Sequence, residues 1–484
     1  MNLRLAILLA VSALGACTTV GPDFARPPEP VDQAYLSPQE LAGADAAGPQ
    51  SVLGEGPQTR WWTVFHSPEL DALVDRALAQ NRSLAAANAT LARAYAELGE
   101  VRGQSLPQVD ANAKVDQQQF NLAAFGFEGA NPEFTLYTLG GGVSYDLDLF
   151  GGNRRRVEAA SARAEAQLRQ TEAAHLALAG RVVNQALAQA AIRARIAVAE
   201  GLVAEDQRNV DLIDRRRRGG DGTMVEVLNA RSQLAADLAE LPPLRQQLAE
   251  ANHMLAILLG EAPAAGDVPA FDLDSLALPQ AIPVALPSQL VRHRPDILQA
   301  EADLHAATAS VGIATAALYP DITLGASVTQ GQPDGVDHLF TDMFRGYNLF
   351  AGVTAPIFHG GTLKARRQAA EAEAQAAQAR YEQTVIEAFG QVADLLTALR
   401  HDADAVQGQR EAVDVAARSL HLSRRSFEVG NSGVLQVLDS ERIYQRALSG
   451  LVEARARQYR DVTRLFVATA GGWTGGAATT EPAR

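Results

Sequence analysis

Small apolar residues recur at helical spacing through the run from Gly151 to Gly222, as at Val183, Leu187, Ala190, Ala194 and Ala197, a seam suited to coiled-coil-like pairing. No proline interrupts the run between Gly151-Gly152, which opens it, and Gly219-Gly220, which closes it. The pattern predicts one helix of ~100 Å at 1.5 Å per residue, several times the diameter of a small domain. A second run opens at Gly360-Gly361 and closes at Gly430, with no proline anywhere from Ile357 to Glu481. Two rods of matching length suggest a molecule built to cover distance.

Shorter helices flank the rods. Ser67-Pro68-Glu69 reads as a helix start, and the helical pattern continues to about Ser105, where Leu106-Pro107 stops it. Thr223 to about Leu259 is expected to be helical but interrupted at Pro242-Pro243. Arg294-Pro295-Asp296 begins a helix that ends at Tyr319-Pro320, and Val434 to about Ala470 is the last.

Elsewhere the period changes to two. Val109, Ala111, Ala113 and Val115 alternate with polar residues, as do Val143, Tyr145, Leu147 and Leu149, and later Ile322, Leu324, Ala326 and Val328. Such alternation predicts strands with one apolar and one polar face. Each pair makes a hairpin with arms of about ten residues, the length of a tilted membrane strand, although a half-buried hairpin on a soluble sheet reads the same way. The first loop carries Phe125, Phe127 and Pro132.

Lining up Leu84 with Ile297, Gly99 with Gly312, Pro107 with Pro320, Gly151 with Gly360 and Gly220 with Gly430 gives a nearly constant spacing, the mark of a tandem duplication. The expected organisation is a signal peptide (1–16), a strap (17–66), a first repeat (67–260, hairpin 107–150), a Pro-rich equatorial linker (261–288), a second repeat (289–471, hairpin 320–358) and a tail (472–484). The fold class is mainly α with a β-barrel portion. Four strands in lipid leave open edges that must close, so several copies must pool them, and three would give twelve. The sequence alone does not count the subunits.

The N-terminus adds a location. Arg4, the apolar stretch Leu5 to Leu14 and small residues before Cys17 form a secretory signal too short to span a bilayer. Leu14-Gly15-Ala16-Cys17 resembles a bacterial lipobox, which implies cleavage before Cys17 and acylation there. Cys17 is the sole cysteine, so an internal disulfide is excluded. The formal net charge of −14 argues against nucleic acid, and 6% aromatic content within 47% apolar residues suits thin helix packing better than a thick core.

Several marks in order, Val20-Gly21-Pro22-Asp23-Phe24, Trp61-Trp62, Asp148-Leu149-Phe150-Gly151-Gly152, Arg294-Pro295-Asp296, Pro356-Ile357-Phe358 and Gly471-Gly472-Trp473, together resemble the TolC-like outer-membrane efflux factors, in particular their lipidated OprM/NodT-type branch. The resemblance covers nearly the whole mature chain. It implies a homotrimer with a twelve-stranded barrel in outer-membrane lipid and a helical periplasmic tunnel. It also implies docking to a periplasmic adaptor (a membrane fusion protein) and an inner-membrane RND-type pump, so that the chain is a passive exit duct for drugs or other small toxic compounds. The same architecture serving type I protein secretion or metal-cation efflux is the nearest alternative, and a lipid-anchored coiled-coil scaffold without a pore is the alternative of another kind.

In that family the segment after the second turn carries an acidic pair at the periplasmic aperture. Here Asp439 matches and Gln436 replaces the other acid, while the first repeat has Glu226 and Asn229. These four residues are the candidate aperture, and Gly219, Gly220, Gly430 and Gly433 are the candidate turn glycines. Glu226 and Asp439 also suit the first turns of helices in their own right. Arg215 to Arg218 suit a helix C-terminus, an adaptor or neighbouring acids. Asp146 and Asp148 are expected on the polar strand face, lining the lumen. The nine histidines are scattered, and no catalytic, nucleotide-binding or metal motif is present, so no enzyme activity, cofactor or metal is expected.

Overall fold

The computed structural model describes residues 19–28, 34–37, 50–54, 60–119, 121, 126, 131–264, 267–333 and 345–469. Cys17, the signal peptide, the tail 472–484, Phe125 and Phe127 lie outside the described residues. In chain order the elements are β1 (Gln50–Leu53), α1 (Pro68–Gln80), α2 (Arg82–Gln104), β2 (Gln108–Gln119), β3 (Glu133–Asp146), α3 (Gly152–Arg218), α4 (Met224–Leu258), β4 (Ala281–Val284), α5 (Pro287–His293), α6 (Pro295–Ala316), β5 (Asp321–Pro333), β6 (Arg345–Thr354), α7 (Thr362–Glu428) and α8 (Val434–Thr469). The two rods, α3 and α7, are 67 residues each.

The chain divides into two compact units. The first comprises Met1–Pro27, Leu91–Gln167 and Ala300–Tyr381. Its centre is a four-stranded antiparallel sheet in the order β2-β3-β5-β6, with β2 and β6 as its edges. Strand β3 stops at Asp146, short of the expected Leu149, because Asp148 is used by the helix that follows.

The second unit comprises Pro28–Thr90, Leu168–Gln299 and Glu382–Arg484. A core forms where Trp61 stacks on Phe466 at 5.6 Å and meets Trp62 edge-on at 5.8 Å, all three fully buried. Arg294 is buried beside it, donating to the carbonyls of Ala388 (3.4 Å) and Ala468 (3.2 Å) and to Gln391 Oε1 (2.5 Å). The Arg-Pro-Asp motif is thus a structural tie that satisfies backbone carbonyls in this core.

Three expectations need correction in this unit. The helix expected from Pro68 to Ser105 breaks at Asn81, whose backbone is extended and whose Oδ1 accepts the Leu84 amide (3.0 Å), starting α2 afresh. The same side chain donates to the Leu258 carbonyl (2.8 Å), and Gly260 lies so close that a Cβ there would sit 2.5 Å from the Gln80 carbonyl. The interruption expected at Pro242-Pro243 does not occur: α4 runs through both. Both prolines are exposed, while Leu241 and Leu244 on either side bury against Ala199, Ile196 and Val203. That burial, at ~1.5–3 kcal/mol per leucine, offsets much of the cost of an internal proline. Finally, the strap and linker are not wholly irregular, since β1 and β4 pair as a two-stranded parallel sheet and Tyr35 donates to the Ala285 carbonyl (2.7 Å).

Candidate functional site

The register of the sheet sorts its side chains cleanly. Val109, Val143, Ala326 and Leu349 are neighbours across the four strands, and so are Ala111, Gly141, Val328 and Tyr347, all on one face. The alternate rows, Asp110, Gly142, Ser327, Asn348 and Asn112, Gly140, Thr329, Gly346, are polar or bare. Neither face is covered: Val109 is 79% exposed and Tyr347 80% on the apolar face, and Asp110, Asn112 and Asn348 are exposed on the polar one. One surface so apolar and so open is stable only against another apolar phase. Among the described residues no helix is long and apolar enough to cross a membrane.

Asp146 lies on the polar face at the end of β3, where it accepts from Thr323 Oγ1 (3.0 Å). Asp148 has a different job. Its carboxylate takes the amides of Asn153 (3.0 Å) and Arg154 (2.9 Å), two of the free donors that open α3.

The residues that follow Cys17 are fastened to the same place. Thr19 packs on Gly151, a left-handed position (φ +77°), and the Val20 amide donates to the Phe150 carbonyl (3.1 Å). Buried Arg155 then holds the strap, donating to the carbonyls of Val20 and Gly21 and to Asp23 Oδ1 (2.6 Å). Its Nη1 also reaches Glu158 Oε2 (2.7 Å), and His305 lies 2.9 Å from the other Glu158 oxygen with Phe24 stacked on its ring. Burial opposes the Glu158 charge, but the hydrogen bonds from Arg155 and His305 outweigh it and hold its pKa below the usual range.

In the second unit the turns after α3 and α7 share one backbone design. Gly220 (φ +93°) and Gly430 (φ +80°) are left-handed; the Gly220 and Asp221 amides bond back to Arg217 and Arg216, and the Gly430 and Asn431 amides to Phe427 and Ser426. These are Schellman ends, which select glycine at that one position. Gly219 and Gly433 have ordinary backbone angles, so the turn does not require glycine at either.

The candidate aperture residues sit just past these turns. Glu226 forms a reciprocal capping box with Thr223: its carboxylate takes the Thr223 amide (2.7 Å) and Thr223 Oγ1 takes the Glu226 amide (3.3 Å). Asn229 and Gln436 are exposed, and Asp439 accepts from exposed Arg442 (2.6 Å) one turn on. The four arginines are held locally. Arg217 and Arg218 pair with Asp214, lowering its pKa, Arg215 bonds the Asp211 carbonyl, and Arg216 donates to the Phe427 carbonyl (3.1 Å) with its guanidinium 4.4 Å over that ring. Beneath them Val210, Ile213, Val227, Ala230, Leu420, Phe427, Val434 and Val437 form a small core.

A polar layer beside that core was not anticipated: buried Asp206 of α3, Asp237 of α4 and Glu441 of α8, with half-buried Arg424 of α7. Its signal in the sequence is Asp206 itself, which occupies the seam defined by Leu202, Val210 and Ile213.

The model of the family described as "Outer membrane efflux protein" matches residues 73–261 and 286–471. The pyoverdine export outer membrane protein OpmQ of Pseudomonas aeruginosa is 30% identical over 97% of this chain and 97% of its own length. The probable outer membrane lipoprotein SilC of Salmonella typhimurium is 27% identical over 98% of this chain and 99% of its own. Among solved structures, the outer-membrane channel OprN superposes with a TM-score of 0.86 at 28% identity, covering 94% of this chain and all of that one. The fold is therefore the mostly helical one of TolC-like channels. The chain belongs to the outer membrane efflux protein family, and it is an outer-membrane channel of an efflux system.

Proposed function

We propose that three copies of the chain pool their sheets into a closed twelve-stranded barrel, with the polar rows inward, and that the helices continue the passage into the periplasm. The observation that carries this reading is the sheet with two unpaired edges and two uncovered faces, one apolar and one polar. In a bilayer each open edge would leave a row of amides and carbonyls without partners, and pairing β6 of one copy with β2 of the next removes every edge at once. Asp110, Asn112, Asp146, Ser327, Thr329 and Asn348 would then face water. The strands, of 12, 14, 13 and 10 residues, are long enough to cross with a tilt.

Acylation of Cys17 fits the same frame. Thr19, which follows Cys17 by two residues in the sequence, is fastened at Gly151. There Phe150 stacks on Tyr319 at 4.7 Å, and Ile357 and Phe358 stand exposed, the composition of a membrane interface band. SilC is a lipoprotein by its name. The mass of the mature N-terminus tests the assignment, since an unmodified Cys17 would remove it.

The chain acts with a periplasmic adaptor and an inner-membrane pump, as OpmQ serves export by its name. The pump selects the cargo and the duct supplies width. Two tandem repeats, 67–260 and 289–471, give each copy its two hairpins and two turns, and the four residues past the turns narrow the periplasmic mouth. Purified protein in a planar bilayer is expected to conduct as a trimer. Absence of conductance, or a monomer that stays monomeric in lipid, would leave only the scaffold.

A further inference from the structure

The apolar seam of α3 contains one carboxylate that forms no ion pair among the described residues. Asp206 is 4% exposed, and its Oδ2 is buried without a hydrogen-bond donor. The carboxyl of Asp237 on α4, itself 5% exposed, lies within hydrogen-bonding reach of it. Two ionised carboxylates have acceptors only, so a bond between them requires a proton.

The surroundings offer no other way to neutralise the pair. Gln233 of α4 donates to both Asp237 oxygens (3.2 and 3.1 Å) and Gln445 of α8 to one (3.4 Å), but neither carries charge. Arg424 of α7 is taken by Glu441 of α8 (2.5 Å) and Glu205 of α3 (3.0 Å). Arg208 is on Glu205, and Glu441 also receives both bonds of the Asn209 amide (2.8 and 2.9 Å). Among the described residues no three His, Cys, Asp or Glu side chains come together to hold a metal ion.

We propose that Asp206 and Asp237 hold one proton between them, and that this proton latches α3 to α4 and, through Gln445, to α8, so that parting the helices releases it. Burial, then Asp237, push the Asp206 pKa up to about 8 from 3.8. Once the helices part, Asp206 returns to water and to ordinary acidity. Between about pH 4 and pH 8 the latched form therefore carries one proton more than the parted form. The latch is strongest in acid, weakens as pH rises through this window, and levels off above it. Acidification tightens this end of the bundle.

Amide hydrogen exchange of the full-length protein in nanodiscs between pH 5 and pH 8, corrected for intrinsic rates, tests this. The opening constant of the amides around Asp206 and Asp237 is expected to rise about tenfold per pH unit in the unaltered protein. It should become flat in Asp206→Asn and in Asp237→Asn, where an amide donates in place of the shared proton. Infrared spectra at pH 7 should show a protonated carboxyl that either substitution removes. No such band in the unaltered protein, a flat slope there, a full slope retained in both variants, or a slope abolished by a chelator would overturn the proposal. Should neither variant fold, the band and slope of the unaltered protein decide.

Discussion

The turn after α3 and the turn after α7 reverse the chain on the same Schellman backbone, yet the first is self-contained and the second is open. At the first, Thr223 and Glu226 satisfy each other and the charges of Arg217 and Arg218 are met by Asp214. At the second, α8 begins after Gly433, which has no side chain to cap it, and Gln436 and Asp439 project into solvent. Glu428 closes α7 where a helix C-terminus favours cations. Equivalent positions in two similar turns thus have unequal freedom. Glu226 is occupied by its own helix, whereas Asp439 has only an exposed arginine, worth under ~1 kcal/mol.

The two turns are joined through Phe427, which lies in their common core under the Arg216 guanidinium. Phe427→Ala should give the largest effect, a local loss of ~3–5 kcal/mol from the cavity it leaves. Amide exchange should accelerate at both turns together. Acceleration confined to α7 and α8 would mean that the turns are independent.

Thr223→Ala comes next. It removes both bonds made through the Thr223 hydroxyl and leaves Glu226 held only by the backbone amide of residue 223, at ~1 kcal/mol. The amides of the first turn of α4 should exchange several-fold faster while those of α8 stay unchanged, which exchange mass spectrometry resolves.

What the sequence disclosed and withheld follows the same division. Glycine pairs marked the rods because Gly220 and Gly430 occupy backbone positions that other residues resist, and alternation marked the strands because both sheet faces meet uniform surroundings. The break at Asn81 was hidden because its cause, the backbone of Gly260, is remote in sequence. The continuity of α4 through two prolines rests likewise on tertiary burial of Leu241 and Leu244. Asp148 appeared to extend the alternation of β3, and only the position of the α3 N-terminus shows it to be a cap. The polar layer at Asp206 needed four helices to be recognised, since a single Asp on a helix seam has no distinctive spacing.

Asp439→Ala addresses the functional side of the comparison. If the open turn narrows the mouth, single-channel recordings should show higher passive conductance or open probability, by no more than about fivefold given the small worth of exposed charge pairs. Glu226→Ala should leave conductance nearer its starting value and lower helix stability instead. Equal conductance changes from the two substitutions would erase the functional distinction between the turns.

The smallest effect expected is a gain. Gly433 has an ordinary backbone angle and nothing within 4 Å of where a Cβ would stand, and Gln436 follows it three residues later, so the second turn lacks only a hydroxyl to form the box that the first possesses. Gly433→Ser supplies that hydroxyl, giving Ser-x-x-Gln at the start of α8, and should stabilise that helix end by a few tenths of a kcal/mol. Slower exchange of the Gln436 amide reports it. Because Gln436 would then be drawn back onto its own helix as Glu226 already is, the same substitution should make the second turn behave like the first, and the conductance effect of Asp439→Ala should persist in that background only if Asp439 acts without Gln436.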